Sequence, residues 1–238
     1  MSRMIVAGAT SEALHPFLLR VAARGTSFAL LGRDPLALSR LATALHDAGS
    51  PGVSLFVVGA DPRAADITAA VRDAATGGPF VAAIDATGAI ARESAVAADP
   101  DLRARLWRAN HELPLAFVDA VRPHLLPGGA IAVSGSVAAI RPRASIRTYG
   151  EAKAALARDL AARATDDGVR LIELRFGPMR TRMHPGGKGR APIDPARLSP
   201  AIDAALLSGE GVVYLPPVWR LIGAVLARLP QAVIDRIA

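Results

Sequence analysis

The chain has 238 residues, 51% of them hydrophobic, and a formal charge of +7. That supplies enough apolar material for a sizeable core and argues against a low-complexity disordered chain. Cysteine is absent, which removes disulfides, thiolate metal sites and a cysteine nucleophile.

The opening residues, MSRMIVAGAT, enter an apolar run almost at once and have no separate hydrophobic region with a cleavage site. No signal peptide is read, and a cytoplasmic location is expected. Within residues 3–10, an apolar run closes on Gly8 and predicts a buried strand; 12–25 repeat apolar residues at helical spacing up to Gly25. Strands follow at 27–34, 53–60 and 80–89, and helices at 35–49 and 64–76. The segment 101–126 predicts one long helix, kinked at Pro114. After it come a strand at 129–136, a helix at 146–168 and a strand at 169–178. A loop rich in Gly and Pro spans 182–197, before a short helix at 199–208 and a strand at 211–215. Residues 216–238 alternate apolar positions with Arg220, Arg228 and Arg236, as an amphipathic helix would. Strand and helix alternate throughout, and the strands are continuous apolar runs. This is the pattern of one α/β domain, a doubly wound parallel sheet of about seven strands in three layers, the Rossmann arrangement.

The positive charge brings nucleic acid into consideration. The arginines are scattered, however, and aromatics make up only 4% of the chain, with no basic block interleaved with stacking residues. No nucleic-acid partner is expected; an anionic small molecule or lipid surface suits the charge better. A steep fall of affinity with salt would be the mark of a nucleic-acid binder.

In an open α/β sheet, ligands bind beyond the carboxyl ends of the strands. The first strand ends in AGATSEAL (7–14), where Gly8 suits a phosphate-cradling turn and Thr10 and Ser11 can donate hydroxyl bonds. Later positions carry Glu12 and Leu14 in place of glycine, and the Glu12 side chain should point away from a pyrophosphate. The second strand ends LLGRD: Gly32 stands where a carboxylate would bind a ribose 2′-hydroxyl, and Arg33 follows it. A guanidinium there favours a 2′-phosphate, hence NADP(H) over NAD(H).

The chain holds only two lysines, Lys153 and Lys188, and two tyrosines, Tyr149 and Tyr214. Tyr149 and Lys153 are one helical turn apart and share a face. A phenol has a pKa near 10 and becomes a usable base only if a neighbouring cation stabilises the phenolate. A lysine retained in so arginine-rich a sequence points to a need for a compact ammonium. Ser136 lies thirteen residues before Tyr149, at the end of the fifth strand, and Asn110, the only asparagine, lies in the helix before it.

This set resembles the short-chain dehydrogenase/reductase family, from residue 4 to about 183. The resemblance implies that Ser136, Tyr149, Lys153 and Asn110 are catalytic. Ser136 would fix the substrate oxygen, and Asn110 would hold a water that relays protons through Lys153. It further implies cofactor contacts at Gly8, Thr10, Ser11, Arg33, Gly88, Lys153, Gly177 and Thr181. Two family segments are altered: Asn-Asn-Ala-Gly reads DATG (85–88), and Phe176 replaces the proline before Gly177. The expected activity is hydride transfer between NADP(H) and a carbonyl or secondary alcohol. The departures keep open a dinucleotide-binding sensor or scaffold with weak catalysis. His111 is read as a structural hydrogen-bonder.

Residues 182–205 are expected to close over the nicotinamide, with Arg180, Arg182, His184, Lys188 and Arg190 crowding that loop. GATSEA, RFGPMRTRM and the PPVWR…ARLP tail resemble most the subgroup that includes the keto-reductase subunit of decaprenylphosphoryl-ribose 2-epimerase. The subgroup implies a lipid-linked keto-sugar and peripheral contact of the tail with the inner face of the membrane. The family implies a homodimer or homotetramer. No metal ligand set is read.

Overall fold

The computed structural model describes residues 2–164, 167–183 and 192–236. Its frame is one parallel sheet of seven strands: β1 (Arg3–Ala7), β2 (Ser27–Gly32), β3 (Val53–Val57), β4 (Phe80–Asp85), β5 (Leu125–Ser136), β6 (Arg170–Phe176) and β7 (Gly211–Leu215). Their order in space is β3-β2-β1-β4-β5-β6-β7. The chain reverses direction across the sheet between β1 and β4, which opens a crevice beyond their carboxyl ends.

Helices cover both faces, as strands apolar on both sides require. One face carries α1 (His15–Ala22), α2 (Pro35–Asp47) and α8 (Ser199–Ser208), which bury Phe17, Leu38, Leu45 and Ile202 against the sheet. The other carries α3 (Ala64–Ala75), α6 (Leu113–Val121) and α7 (Arg147–Ala162), with Ile67, Val71, Phe117, Val118 and Leu156 in a second core. The local signals explain the boundaries. Asp34 caps α2, its carboxylate accepting from the N–H groups of Leu36 and Ala37 at 2.9 and 3.0 Å, and Pro35 takes the first helical position.

Several boundaries differ from the sequence expectation. The strand expected over 80–89 stops at Asp85, and α1 begins at His15, after a turn through Leu14. Leu14 is fully buried in the first core, so the position of a third glycine is used here for packing. The long helix expected over 101–126 is in four pieces: α5 (Pro100–Trp107), a π-helical turn (Arg108–Glu112), α6 and a 3-10 turn (Arg122–His124). Pro114 has no N–H to give the carbonyl four residues back, that of Asn110, and this lets the ladder slip to the wider register. A further helix, α4 (Glu93–Ala98), precedes α5, and the sequence reading did not contain it.

The tail folds as two short helices, α9 (Val218–Leu226) and α10 (Gln231–Ile234), divided at Pro230. They lie on the segment between β5 and α7. Arg141 donates to the carbonyls of Ala227 and Leu229, and Asp235 accepts from the Ala144 N–H. Tyr214 and Ile140 flank Gly223 of α9. Among the described residues, no helix is long and apolar enough to cross a membrane.

Candidate active site

The carboxyl ends of β1, β4, β5 and β6 bring together residues that are far apart in sequence. Gly8 ends β1 with a φ of +62°, and a Cβ there would lie 2.6 Å from the Ala86 carbonyl carbon. Only glycine lets β1 and β4 turn away this close to each other. Thr10 and Ser11 are half-buried in the turn that follows, and the Ser11 N–H returns to the Gly8 carbonyl at 2.9 Å. Arg33 is exposed at the end of β2.

Glu12 does turn away, to a partner that the sequence did not reveal. Its carboxylate accepts the Arg182 backbone N–H at 2.7 Å and pairs with the Arg182 guanidinium. The turn after β1 is thereby tied to the segment after β6. Thr181 is half-buried in that segment, and Met183 reaches back over Gly88. The charged loop positions His184, Lys188 and Arg190 lie outside the described residues.

Ser136 ends β5; its hydroxyl accepts the Ala138 N–H at 3.1 Å and acts on the Tyr149 phenol in the direction that favours its ionised form. Two residues earlier on the strand, Ser134 presents its backbone carbonyl to Lys153. The Lys153 ammonium donates to that carbonyl at 2.8 Å. Asn110 is fully buried in the π-helical turn. Its amide nitrogen donates to the carbonyls of Ala89 and Leu106 at 2.7 and 2.8 Å, and its side-chain oxygen accepts the Ala89 N–H at 3.3 Å. Gly88 fits against these groups: a Cβ on it would lie 3.0 Å from the Asn110 side-chain oxygen and 3.8 Å from Lys153 Nζ. The four candidate catalytic residues and Gly88 therefore line one corner of the crevice.

At Gly177 the space for a side chain is filled by the indole of Trp219, and the Gly177 N–H donates to the Leu215 carbonyl at 2.9 Å. What Gly177 does here is admit Trp219 from α9. His111 bonds Asp159 of α7 through Nε2 at 2.7 Å, the structural bond expected of it.

The electrostatics correct one expectation. Tyr149 was expected to be acidified, but in the free protein burial pushes its phenol above the ordinary value, and the Ser136 bond only partly opposes this. Burial lowers Lys153 to about 8, against the attraction of Asp85 and Glu173. Asp85 is fully buried; burial raises it to about 7, against the attraction of Lys153 and hydrogen bonds from Thr87.

Glu93 of α4 is another residue that the sequence reading missed. The helix carrying Tyr149 and Lys153 has no side-chain cap of its own. Glu93 supplies one, accepting from the Thr148 N–H and hydroxyl, both at 2.9 Å. Burial works against its charge, but the two Thr148 bonds, with Arg103 and Arg147, hold its carboxyl below the ordinary value. No local motif marks Glu93, because its partner is 55 residues away.

No protein-family model matches the chain. It is 30% identical over 223 residues to an uncharacterized oxidoreductase of Mycobacterium tuberculosis, covering 91% of this chain and 89% of that protein. Among solved structures, a short-chain dehydrogenase from Sphingobium yanoikuyae in complex with NADPH superposes with a TM-score of 0.79 at 22% identity, covering 98% of each chain. The chain belongs to the short-chain dehydrogenase/reductase family. An alcohol dehydrogenase from Thermococcus sibiricus, complexed with 5-hydroxy-NADP, superposes with a TM-score of 0.78 at 18% identity, over 90% of this chain and 95% of that one. At such identities the two structures speak for the fold. As a family member, the protein is an NAD(P)-dependent oxidoreductase, and the quartet at the crevice is where its chemistry is to be sought.

Proposed function

We propose that the protein transfers hydride between NADP(H) and a carbonyl or secondary alcohol, with Tyr149 as the proton donor and acceptor. One observation supports this reading: Ser136, which acts on the buried Tyr149 phenol, and Lys153, held by the Ser134 carbonyl, stand at the carboxyl end of β5 beside the sheet's reversal point. A bound dinucleotide would lie along the carboxyl ends of β1 and β4, with Gly8, Thr10 and Ser11 nearest the phosphates and Lys153, Gly88 and Thr181 toward the nicotinamide. It supplies or accepts the hydride. The chain's own part is to bind the substrate oxygen through Ser136 and Tyr149 and to move one proton at that oxygen. Asn110 ties the π-helical turn to Ala89, beside Gly88 and the Lys153 ammonium. Tyr149, protonated in the free protein, is in the state that carbonyl reduction requires.

Lys153 lies one helical turn from Tyr149 on α7, and the reading needs its ammonium charged, so its loss should end the reaction from the alkaline side. In reduction, kcat/KM is expected to fall as pH rises through about 8, the value to which burial brings Lys153. The test is NADPH oxidation followed across pH with a panel of ketones, keto-sugars and a keto-sugar on a polyprenyl phosphate in anionic vesicles. NADPH binding without turnover on any of them would favour the sensor or scaffold reading.

The polyprenyl-linked substrate belongs to this proposal because of α9. Its Val218, Leu221 and Val225 are exposed, Leu221 by 70%, beside a segment that leads to the catalytic helix. Preference for that substrate, with the protein pelleting with the vesicles, is the expected result. Equal turnover of soluble ketones and full recovery in the supernatant would remove both the lipid substrate and the membrane contact.

Arg33 carries the choice of cofactor. It is exposed at the end of β2 and has no ion pair among the described residues, so it is available to a 2′-phosphate. Arg33→Ala is expected to weaken NADPH binding by roughly 10- to 100-fold, the worth of one charge-assisted contact, and to leave NADH unchanged. Fluorescence titration with both cofactors measures it, and equal effects on the two would sink the assignment.

A further inference from the structure

Two buried carboxylates lie on one rung of the sheet beneath the catalytic corner. In the register of β4, β5 and β6, Asp85 pairs with Val133, and Val133 with Glu173. Residues on one rung of a parallel sheet point to the same face. Val133 belongs to the core that α7 covers, so both carboxylates face the helix bearing Lys153. Asp85 is 0% exposed and Glu173 4% exposed. They differ in how they are neutralised. Glu173 leans over Gly135, which has no side chain to obstruct it, and is bonded by both arms of Arg175 at 2.8 and 2.5 Å. Arg175 also reaches the Tyr214 hydroxyl at 3.0 Å.

Asp85 has no such guanidinium. Its hydrogen bonds come from Thr87, whose hydroxyl lies 2.8 and 3.1 Å from the two carboxylate oxygens. An ionised carboxylate so deeply buried needs a counter-charge. The buried ammonium that interacts with it is that of Lys153, which forms no direct ion pair with it and is itself only 3% exposed. Glu173 is the other acid that acts on Lys153. Since Glu173 is already matched by Arg175, Asp85 is the unmatched negative charge of this cluster.

We infer that Asp85 is a positioning residue for Lys153: through space, its carboxylate keeps the buried ammonium charged. The charge state of Lys153 does not depend on the oxidoreductase reading; its effect on turnover does. The groups that act on or border Lys153 are Asp85 from β4, Glu173 from β6, which Arg175 neutralises, the neutral Asn110 side chain across Gly88, and the Ser134 carbonyl.

The two-lysine composition makes a direct test practical. Protein labelled with 13Cε-lysine, with Lys188→Arg as background, gives a single lysine resonance whose shift follows protonation of Lys153. In cofactor-free protein, Asp85→Asn is expected to lower the titration midpoint by about one pH unit or more, the range for loss of a nearby opposite charge. An unchanged midpoint overturns the proposal. If Asp85→Asn fails to fold, Thr87→Val removes the hydroxyl bonds that favour the ionised carboxylate. A smaller downward shift is then expected, and none would again overturn it. In the same variants, the alkaline limb of kcat/KM for reduction should move down in step with the resonance, with NADPH affinity unchanged. A limb that stays in place while the resonance moves would refute the catalytic consequence. A wild-type protein with no turnover on any carbonyl would count against the oxidoreductase reading, while the resonance would still decide the role of Asp85.

Discussion

Tyr149→Phe is expected to lower turnover by roughly a hundred- to ten-thousand-fold, the usual worth of a positioned proton donor. NADPH binding should be nearly unchanged. The change removes one oxygen and keeps the ring, which is buried. The oxygen interacts with the Ser136 hydroxyl, which keeps its bond from the Ala138 N–H. A stability loss should therefore be small, at most the worth of one hydrogen bond, about 0.5–1.5 kcal/mol. Single-turnover measurement with NADPH and the best carbonyl from the panel separates the two effects. If the Phe variant turns over within a few-fold of wild type, the phenol is not the proton donor and the mechanism proposed here is wrong.

Gly8→Ala carries the largest expected effect on the fold. An alanine at φ +62° is strained by about 1–2 kcal/mol. Its methyl would also lie 2.6–2.7 Å from the backbone at Ala86 and Thr87, an overpacking that typically adds about 1–3 kcal/mol. The sum, roughly 2–5 kcal/mol, corresponds to about 2–4 °C in Tm per kcal/mol for a domain of this size. Gly25→Ala is the matched control: φ is +76° there, but nothing lies within 4 Å of the added methyl. It should cost about 1–2 kcal/mol only. Urea denaturation of both variants checks this, and equal losses would show that the close approach of β1 and β4 has no energetic weight. Because the collision is at the mouth of the crevice, Gly8→Ala should also weaken NADPH binding, whereas Gly25→Ala should not.

Both expectations start from residues that the sequence made conspicuous, and the places where it was less informative have particular physical causes. The helix expected over 101–126 looked continuous because apolar spacing registers the face a segment buries. It does not distinguish a slip of one residue in the hydrogen-bond ladder. Asn110 and Pro114 were both visible, but what the π-helical turn does with Asn110 depends on Ala89, which accepts from and donates to its side-chain amide across 21 residues. Glu12 was read as unsuited to a pyrophosphate, but nothing local marks its partner Arg182, 170 residues away. DATG looked like a degraded motif. In the fold, its first residue is a buried carboxylate that interacts with Lys153.

What the linear chain determined by itself was the alternation of apolar strand and amphipathic helix, hence the parallel sheet, and the one-turn spacing of Tyr149 and Lys153. These follow from spacing within single elements, where a side chain's face depends only on its neighbours along the chain; Ser136 and Asn110 joined them through the family resemblance. Strand register and helix docking decided the rest: the rung shared by Asp85 and Glu173, the Glu93 cap on α7, Trp219 over Gly177, and the burial that raises the Tyr149 phenol. Desolvation and charge pairing act between atoms close in space, and the distance between those atoms is set only when the sheet closes.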